Sequence, residues 1–204
     1  MKLTKLFQPM RLAAVLLVGG CATIQTAQDV QLGRNALRAN QPGAAVGYLR
    51  QAAETDPSYR IYYALPGSVL AYLGRAYYEA GNYADARRVL ERALSLEKND
   101  HLARLYLGLV LARAADQPSG RREIESGLKG IYDALESLAS TPYRGLYWDP
   151  TRQIRSEIQR ALTGKVEPAE LIRIAQWTGA SLDEEIDNAR RDEIRDRYLR
   201  VGGD

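Results

Sequence analysis

Two side chains that often carry chemistry occur only once in this chain, the thiol of Cys21 and the imidazole of His101. One cysteine and one histidine exclude an intrachain disulfide, most metal sites and a Cys/His dyad inside the fold. His101 follows Asp100 at a predicted helix start, where a histidine is typical of a cap region rather than of a general base. We therefore expect a non-enzymatic protein with no cofactor and no metal.

The first twenty residues have the pattern of a secretory signal peptide. Positive charges at Lys2, Lys5 and Arg11 precede an unbroken apolar run over residues 12–18. This run is far too short to span a bilayer of about 30 Å, but it suits the apolar part of a signal peptide. The rest of the chain has as many basic as acidic residues, so the net charge of +3 does not indicate nucleic-acid binding.

The stretch from Leu17 to Cys21, which reads Leu-Val-Gly-Gly-Cys, resembles the lipobox of bacterial lipoproteins. The resemblance implies that Cys21 is the lipidation site and becomes the first mature residue. Ala22, where inner-membrane members have Asp, implies a lipid anchor on the periplasmic face of the outer membrane of a Gram-negative bacterium. The alternative is an ordinary secreted protein with a chance cysteine near the cleavage point.

Small and apolar residues recur along the chain in one fixed pattern. A set of five aligned positions occurs three times. Its first two positions are Leu32-Gly33, Leu73-Gly74 and Leu107-Gly108 in the three copies. The second and third copies are 34 residues apart, and the first precedes the second by 41, which is one period plus an insertion. Because all columns shift together, the pattern predicts three copies of one structural unit.

The second copy, Leu73-Gly74-Arg75-Ala76-Tyr77 followed by Ala86 and Leu90, resembles the core of the tetratricopeptide repeat. The resemblance implies an all-α solenoid of about three helical hairpins, at residues 26–59, 67–100 and 101–134. Turn sequences at 40–43, 81–83 and 116–118 agree with the hairpins. The small residues of the Leu-Gly column mark the points where paired helices should cross closely.

Helical patterns continue beyond the repeats. An apolar stripe from Ile124 to Leu138 predicts a helix that reaches about Ser140. Asp149 and Pro150 predict the start of the next helix, and Pro168 the start of another. Thr178-Gly179 should end that one, and a capping box at 181–184 should begin the last helix.

The last repeat of a solenoid exposes an apolar face unless something covers it. We therefore divide the chain into a signal peptide (1–20), a short lipidated linker (21–25), a solenoid (26–140) and a C-terminal helical cap (141–204). The alternative for the last region is a partner-binding arm, because residues 181–200 are densely charged.

In tetratricopeptide proteins the first helix of each hairpin lines the concave face. The residue after the glycine of Leu-Gly and the residue four positions later look into this groove. In this chain these columns and their neighbours supply a candidate partner-binding groove made of Arg34, Arg38, Arg75, Tyr78, Glu79 and Arg113. Four arginines on one face suit an acidic peptide segment or a C-terminal carboxylate.

These features predict a membrane-anchored periplasmic adaptor that mediates protein-protein interactions. Its partner would be a periplasmic or outer-membrane protein of an envelope assembly, such as pilus or secretion, peptidoglycan or polysaccharide machinery. The alternative is a glycan-binding or cell-wall enzyme-associated lipoprotein that stacks Tyr147, Trp148 and Trp177 on sugar. Buried tryptophan rings would favour the cap, whereas exposed rings in a cleft would favour the glycan site.

Overall fold

The computed structural model describes the backbone of residues 9–61, 65, 67–114, 116–142 and 146–201, and the side chains of 23–198 within these ranges. The signal-peptide pattern and the Cys21 thiol therefore lie outside the described side chains. The helices of the described part are α1 (Pro9–Arg38), α2 (Pro42–Thr55), α3 (Val69–Glu79), α4 (Tyr83–Leu96), α5 (His101–Arg113), α6 (Gln117–Ala139), α7 (Gln153–Leu162) and α8 (Pro168–Val201).

The first six helices form three antiparallel hairpins, α1/α2, α3/α4 and α5/α6, that stack in chain order. The prediction of an all-α helical solenoid is confirmed. The turns inside the hairpins fall at the predicted positions, and the second one places Gly81 at a φ of +79°, which is unfavourable for residues with a Cβ. Apart from one isolated bridge between Arg60 and Ser68, the described residues form no strand pairing.

The Leu-Gly column marks a close helix crossing in every hairpin, as predicted. A Cβ added to Gly33 would lie 2.4 Å from Leu49 Cγ, and one added to Gly74 would lie 2.4 Å from Leu90 Cγ. In the third hairpin the same atom on Gly108 would lie 2.5 Å from the backbone nitrogen of Ile124. These distances are far below van der Waals contact, so the glycines set the spacing within each hairpin.

The C-terminal helices cover the last repeat. The predicted stripe of α6 is buried along its length, and α6 ends at Ala139, close to the predicted end at Ser140. Helices α7 and α8 pack against α6 and bury their own apolar residues, which are Ile154, Ile158, Ala161, Leu171, Ile174, Ala175, Leu182, Ile186 and Ala189. The prediction of a helical cap is confirmed.

Two predicted helix boundaries are wrong. Helix α8 runs without a break through Thr178 and Gly179, although this pair resembles a helix stop. Gly179 is small for another reason, since a Cβ there would lie 2.5 Å from the hydroxyl of Tyr106 on α5. A glycine that permits close packing and a glycine that ends a helix look alike in a sequence.

The start of α7 differs from the prediction as well. The helix begins at Gln153 and its N-cap is Arg152, so Pro150 is not the first helical residue. Asp149 nevertheless serves the helix start, because its carboxylate accepts hydrogen bonds from the backbone nitrogens of Ile154 at 3.1 Å and Arg155 at 3.0 Å. The prediction of Asp149 as the N-cap is therefore wrong, although its carboxylate binds two backbone nitrogens of the first turn from the preceding loop.

His101 is half buried at the start of α5 and packs against α6, where a Cβ added to Gly130 would lie 2.1 Å from His101 Nδ1. Burial lowers the pKa of its imidazole. The neighbouring Asp100 caps the helix by accepting a hydrogen bond from the backbone nitrogen of Ala103 at 2.9 Å. The side chain therefore packs between two helices at a helix start.

Two searches of the described residues gave negative results. No helix among them is both long enough and apolar enough to cross a membrane. No group of three His, Cys, Asp or Glu side chains in the same part of the chain is placed to hold a metal ion.

We predict that a chain ending at Ser140 loses cooperative unfolding. Removal of α7 and α8 would expose the stripe of α6, and each large apolar side chain left in water costs about 1.5–3 kcal/mol. Thermal unfolding followed by circular dichroism, together with light scattering, measures the effect. A chain ending at Arg191 keeps the buried face of α8 and is the control; equal stability of both truncated forms and the whole chain would contradict the cap.

Candidate interaction groove

The predicted groove residues come together on one face of the solenoid, and α8 lies across that face. Helices α1, α3 and α5 supply the groove, and the middle section of α8 contacts all three, through the side chain of Asp183 and the backbone at Gly179. Arg34 is 1% exposed and Arg75 is 4% exposed. These two arginines are therefore covered by the chain's own helix α8 and are not open to another molecule.

The centre of the groove holds a buried carboxylate. Asp183 of α8 is fully buried, and its Oδ1 accepts hydrogen bonds from Arg34 Nε at 2.6 Å and from the Tyr72 hydroxyl at 3.1 Å. Arg34 also donates through Nη2 to the backbone oxygen of Asp183 at 3.1 Å. The other carboxylate oxygen, Oδ2, has no hydrogen-bond partner among the described residues. One guanidinium thus holds both the side chain and the backbone of one position on α8.

The surroundings of this carboxylate raise the pKa of both side chains that bind it. Burial disfavours the charged form of Arg34, but Tyr72 and the Asp183 carboxylate outweigh it, and the pKa of Arg34 is raised. Burial and the same carboxylate both raise the pKa of the Tyr72 hydroxyl. At neutral pH the tyrosine therefore remains a hydrogen-bond donor, and the arginine remains a cation.

A second carboxylate lies one helical turn further along α8. Asp187 Oδ1 accepts a hydrogen bond from Arg34 Nη2 at 2.9 Å, and its Oδ2 accepts one from Arg38 Nη1. Burial alone would raise the pKa of Asp187, but the hydrogen bond from Arg38 and the charge of Arg34 lower it. The acidic pair of α8 and the basic pair of α1 share a spacing of four residues, so the two helices match in register.

The middle of the groove is closed by a contact between α3 and the backbone of α8. Arg75 donates to the backbone oxygen of Gly179 at 3.2 Å and pairs with Glu79 at 2.7 Å. Its guanidinium also lies 5.9 Å from the centre of the Tyr106 ring. On the same helix, the Tyr78 hydroxyl accepts a hydrogen bond from Gln176 at 2.9 Å.

Only the rim of the candidate groove remains in contact with solvent. The side chain of Arg38 is 30% exposed and that of Glu79 is 27% exposed. Arg113 is exposed at the far end, with its guanidinium 5.8 Å from the centre of the Tyr83 ring. Three of the six predicted residues thus remain available to another molecule, and their partner-binding role stays a prediction.

Sequence reasoning missed Asp183, Asp187 and Tyr72. The columns of the repeat identify which residues face the groove, but they carry no information about what occupies it. One signal was present in the sequence. Asp183 and Asp187 lie on one face of the last helix, with the spacing of Arg34 and Arg38.

The aromatic residues of the C-terminal region are used in packing. Trp148 is fully buried, and its Nε1 donates to Glu193 of α8 at 3.1 Å. Trp177 is partly buried against the core, and Tyr147 donates its hydroxyl hydrogen to Asp196. A fully buried ring cannot stack on a sugar, so this geometry favours the cap over the glycan-binding alternative.

We predict that Asp183→Ala lowers the free energy of unfolding by about 3–5 kcal/mol, because it leaves the buried Arg34 guanidinium without its main partner. Chemical denaturation followed by circular dichroism measures the loss. Asp85→Ala is the control: it breaks an exposed ion pair with Arg88, which contributes about 0–1 kcal/mol. Equal losses in both variants would show that the buried network does not stabilise the fold.

Comparisons with known proteins support the repeat architecture. A family model, the tetratricopeptide repeat, matches residues 67–100, which is the second repeat predicted from the sequence. No curated protein matches the chain, and no solved structure matches it. The matched repeat and the stacked hairpins together support a helical solenoid similar to those built from tetratricopeptide repeats, which usually mediate protein-protein interaction.

Proposed function

We propose that this chain is a lipid-anchored scaffold that binds protein partners at the periplasmic face of the outer membrane. The observation that carries the protein-binding part is the solenoid of three hairpins with a tetratricopeptide match in its second repeat. The lipobox resemblance at Cys21 supports the anchor. The envelope assembly served by the scaffold would be pilus or secretion, peptidoglycan or polysaccharide machinery.

The geometry of α1 places the solenoid close to the proposed anchor. The helix is continuous from Pro9 to Arg38, so an α-helical rise of 1.5 Å per residue puts Arg34 about 20 Å along the axis from Cys21. A fully extended linker from Cys21 to the first repeat would reach about the same distance. A scaffold on this anchor would therefore work within a few nanometres of the bilayer surface.

The surface available to a partner differs from the groove predicted at first. Because α8 occupies the centre of the concave face, a partner meets the rim cations Arg38 and Arg113 rather than Arg34 or Arg75. An acidic segment remains the partner chemistry that suits these groups. Arg113 is exposed, and Arg38 is partly exposed beside its partner Asp187, so association should weaken as salt screens both charges over about 8–10 Å.

We predict that Cys21→Ser moves the protein out of the outer-membrane fraction. Without the thiol there is no acyl anchor, and the protein would be soluble or held by its uncleaved signal. Fractionation of cell envelopes, with metabolic labelling by a fatty acid, measures both effects. Outer-membrane fractionation that is unchanged by Cys21→Ser would contradict the lipoprotein assignment.

We predict that Arg38→Glu with Arg113→Glu weakens capture of envelope proteins by cross-linking in cells, since both charges that face an acidic partner are reversed. The double variant should capture about tenfold less envelope protein, or less still. Arg113→Glu alone should leave the melting temperature unchanged. Arg195→Glu with Arg197→Glu on the exposed end of α8 is the matched control. If only the control loses its partners, the C-terminal arm is the binding surface and the repeats are a spacer.

A further inference from the structure

A second concave surface lies between the first and second repeats, on the side of the solenoid opposite α8. It is a cleft of about 290 Å³ between α2 and α4, with α3 as its floor. On α3, the residues that face α8 and those that face the cleft lie on opposite sides of the helix. The cleft is therefore separate from the groove described above.

The lining combines an apolar floor with a basic edge. The floor consists of Ala53, Leu70, Leu73, Tyr77 and Val89, and the edge carries Arg50 of α2 with Arg88 and Arg92 of α4. Arg88 is paired with Asp85 at 2.9 Å. The guanidinium groups of Arg50 and Arg92 make no ion pair with any described residue, and one acidic side chain, Glu54, lies beside them.

The third repeat carries charged residues at two of the positions that line this cleft. One repeat period after Leu70 and Val89 stand Arg104 and Glu123. These two side chains form an ion pair within the third hairpin, between α5 and α6, with Arg104 Nη1 at 3.0 Å from Glu123 Oε2. In the second repeat both positions are apolar, and the cleft beside them is lined by Arg50 and Arg92. The repeat architecture therefore does not by itself require apolar residues at these two positions.

We propose that this cleft binds the carboxyl terminus of a protein partner that ends in an apolar residue. Arg50 and Arg92 pair with the terminal carboxylate, and the last side chain packs on Leu70, Leu73 and Val89. Two guanidinium groups suit a planar carboxylate. This inference rests on the proposed protein-binding function, and it names a site and a partner chemistry for it.

The size of the cleft favours a peptide end over the other anionic partners. A volume of about 290 Å³ accommodates one apolar side chain with its carboxylate, but not the two acyl chains of a phospholipid. The edge is a small cluster rather than an extended stripe, which does not suit a nucleic-acid backbone. Glu54 beside the arginines can accept a hydrogen bond from a peptide nitrogen, a group that simple anions lack.

The test is a titration of the full-length, unacylated Cys21→Ser protein with the acetylated peptide Gly-Ser-Gly-Leu, followed by nuclear magnetic resonance. We expect saturable shifts at Ala53 and Val89. Amidation of the peptide terminus removes the charge, and Arg50→Ala with Arg92→Ala removes its partners. Each change should weaken binding by about tenfold or more, at an unchanged melting temperature.

Two further variants separate the cleft from general basicity. Arg87→Ala changes an exposed arginine on α4 that pairs with Glu91 outside the cleft, and it should leave the peptide affinity unchanged. Val89→Glu places the carboxylate of the third repeat in the cleft and should abolish binding.

Equal affinity for the free and amidated peptides, or no effect of Arg50→Ala with Arg92→Ala, would overturn the proposal. Arg50- and Arg92-dependent binding to phosphatidylglycerol vesicles without peptide binding would overturn it in favour of a lipid site. If the cleft fails either peptide test while the unaltered protein still captures envelope proteins in cells, the scaffold function stands and only the cleft assignment falls.

Discussion

The buried carboxylate of Asp183 is the constraint on which the arrangement of the helices depends. A charge removed from water is tolerated only where its partners are in place, and here Arg34 and Tyr72 supply them from two different repeats. A slip of α8 by one residue would separate Asp183 from both. The contact between α8 and the groove is therefore specific in register, unlike apolar packing alone, and α8 joins α1 to α3 at a level where these two helices touch little.

Because α8 covers the concave face, the surface open to a partner differs from that of an open solenoid. In an open solenoid the first helices of the hairpins are the natural surface for a partner, but here their central cations are neutralised by Asp183, Asp187 and the backbone of Gly179. Helix α8 thus both caps the last repeat and fills the groove. The surfaces that α8 leaves uncovered are the rim, its own exposed end and the outer side of the repeats, where the second helices of the hairpins lie.

The sequence predicted those parts of the fold that depend on short-range periodicity. The hairpins, their turns and the Leu-Gly crossings follow from a 34-residue pattern that each repeat carries within itself. Arg34, Arg38, Arg75 and Tyr78 contact α8, and the partner-binding role of the groove residues stays a prediction. What could not be predicted was their burial, because it arises from a contact between Arg34 and Asp183, 149 residues apart. Gly179 was misread as a helix stop because its small size is required by close packing against Tyr106, which lies on another helix.

The abundance of arginine in the chain made any single arginine uninformative at the level of sequence, but pairing in three dimensions separates them. Arg34 and Arg75 are paired inside the fold, Arg104 pairs with Glu123 within the third hairpin, and Arg87 and Arg88 pair with acidic neighbours on their own helix. In a repeat protein each position has a counterpart in the next unit, and that counterpart shows what the architecture alone requires. The third repeat has the ion pair of Arg104 and Glu123 where the second repeat has Leu70 and Val89. The repeat architecture therefore does not explain why these residues differ. Arg50 and Arg92, which line the cleft beside its apolar residues, are therefore the groups on which the proposed peptide site depends.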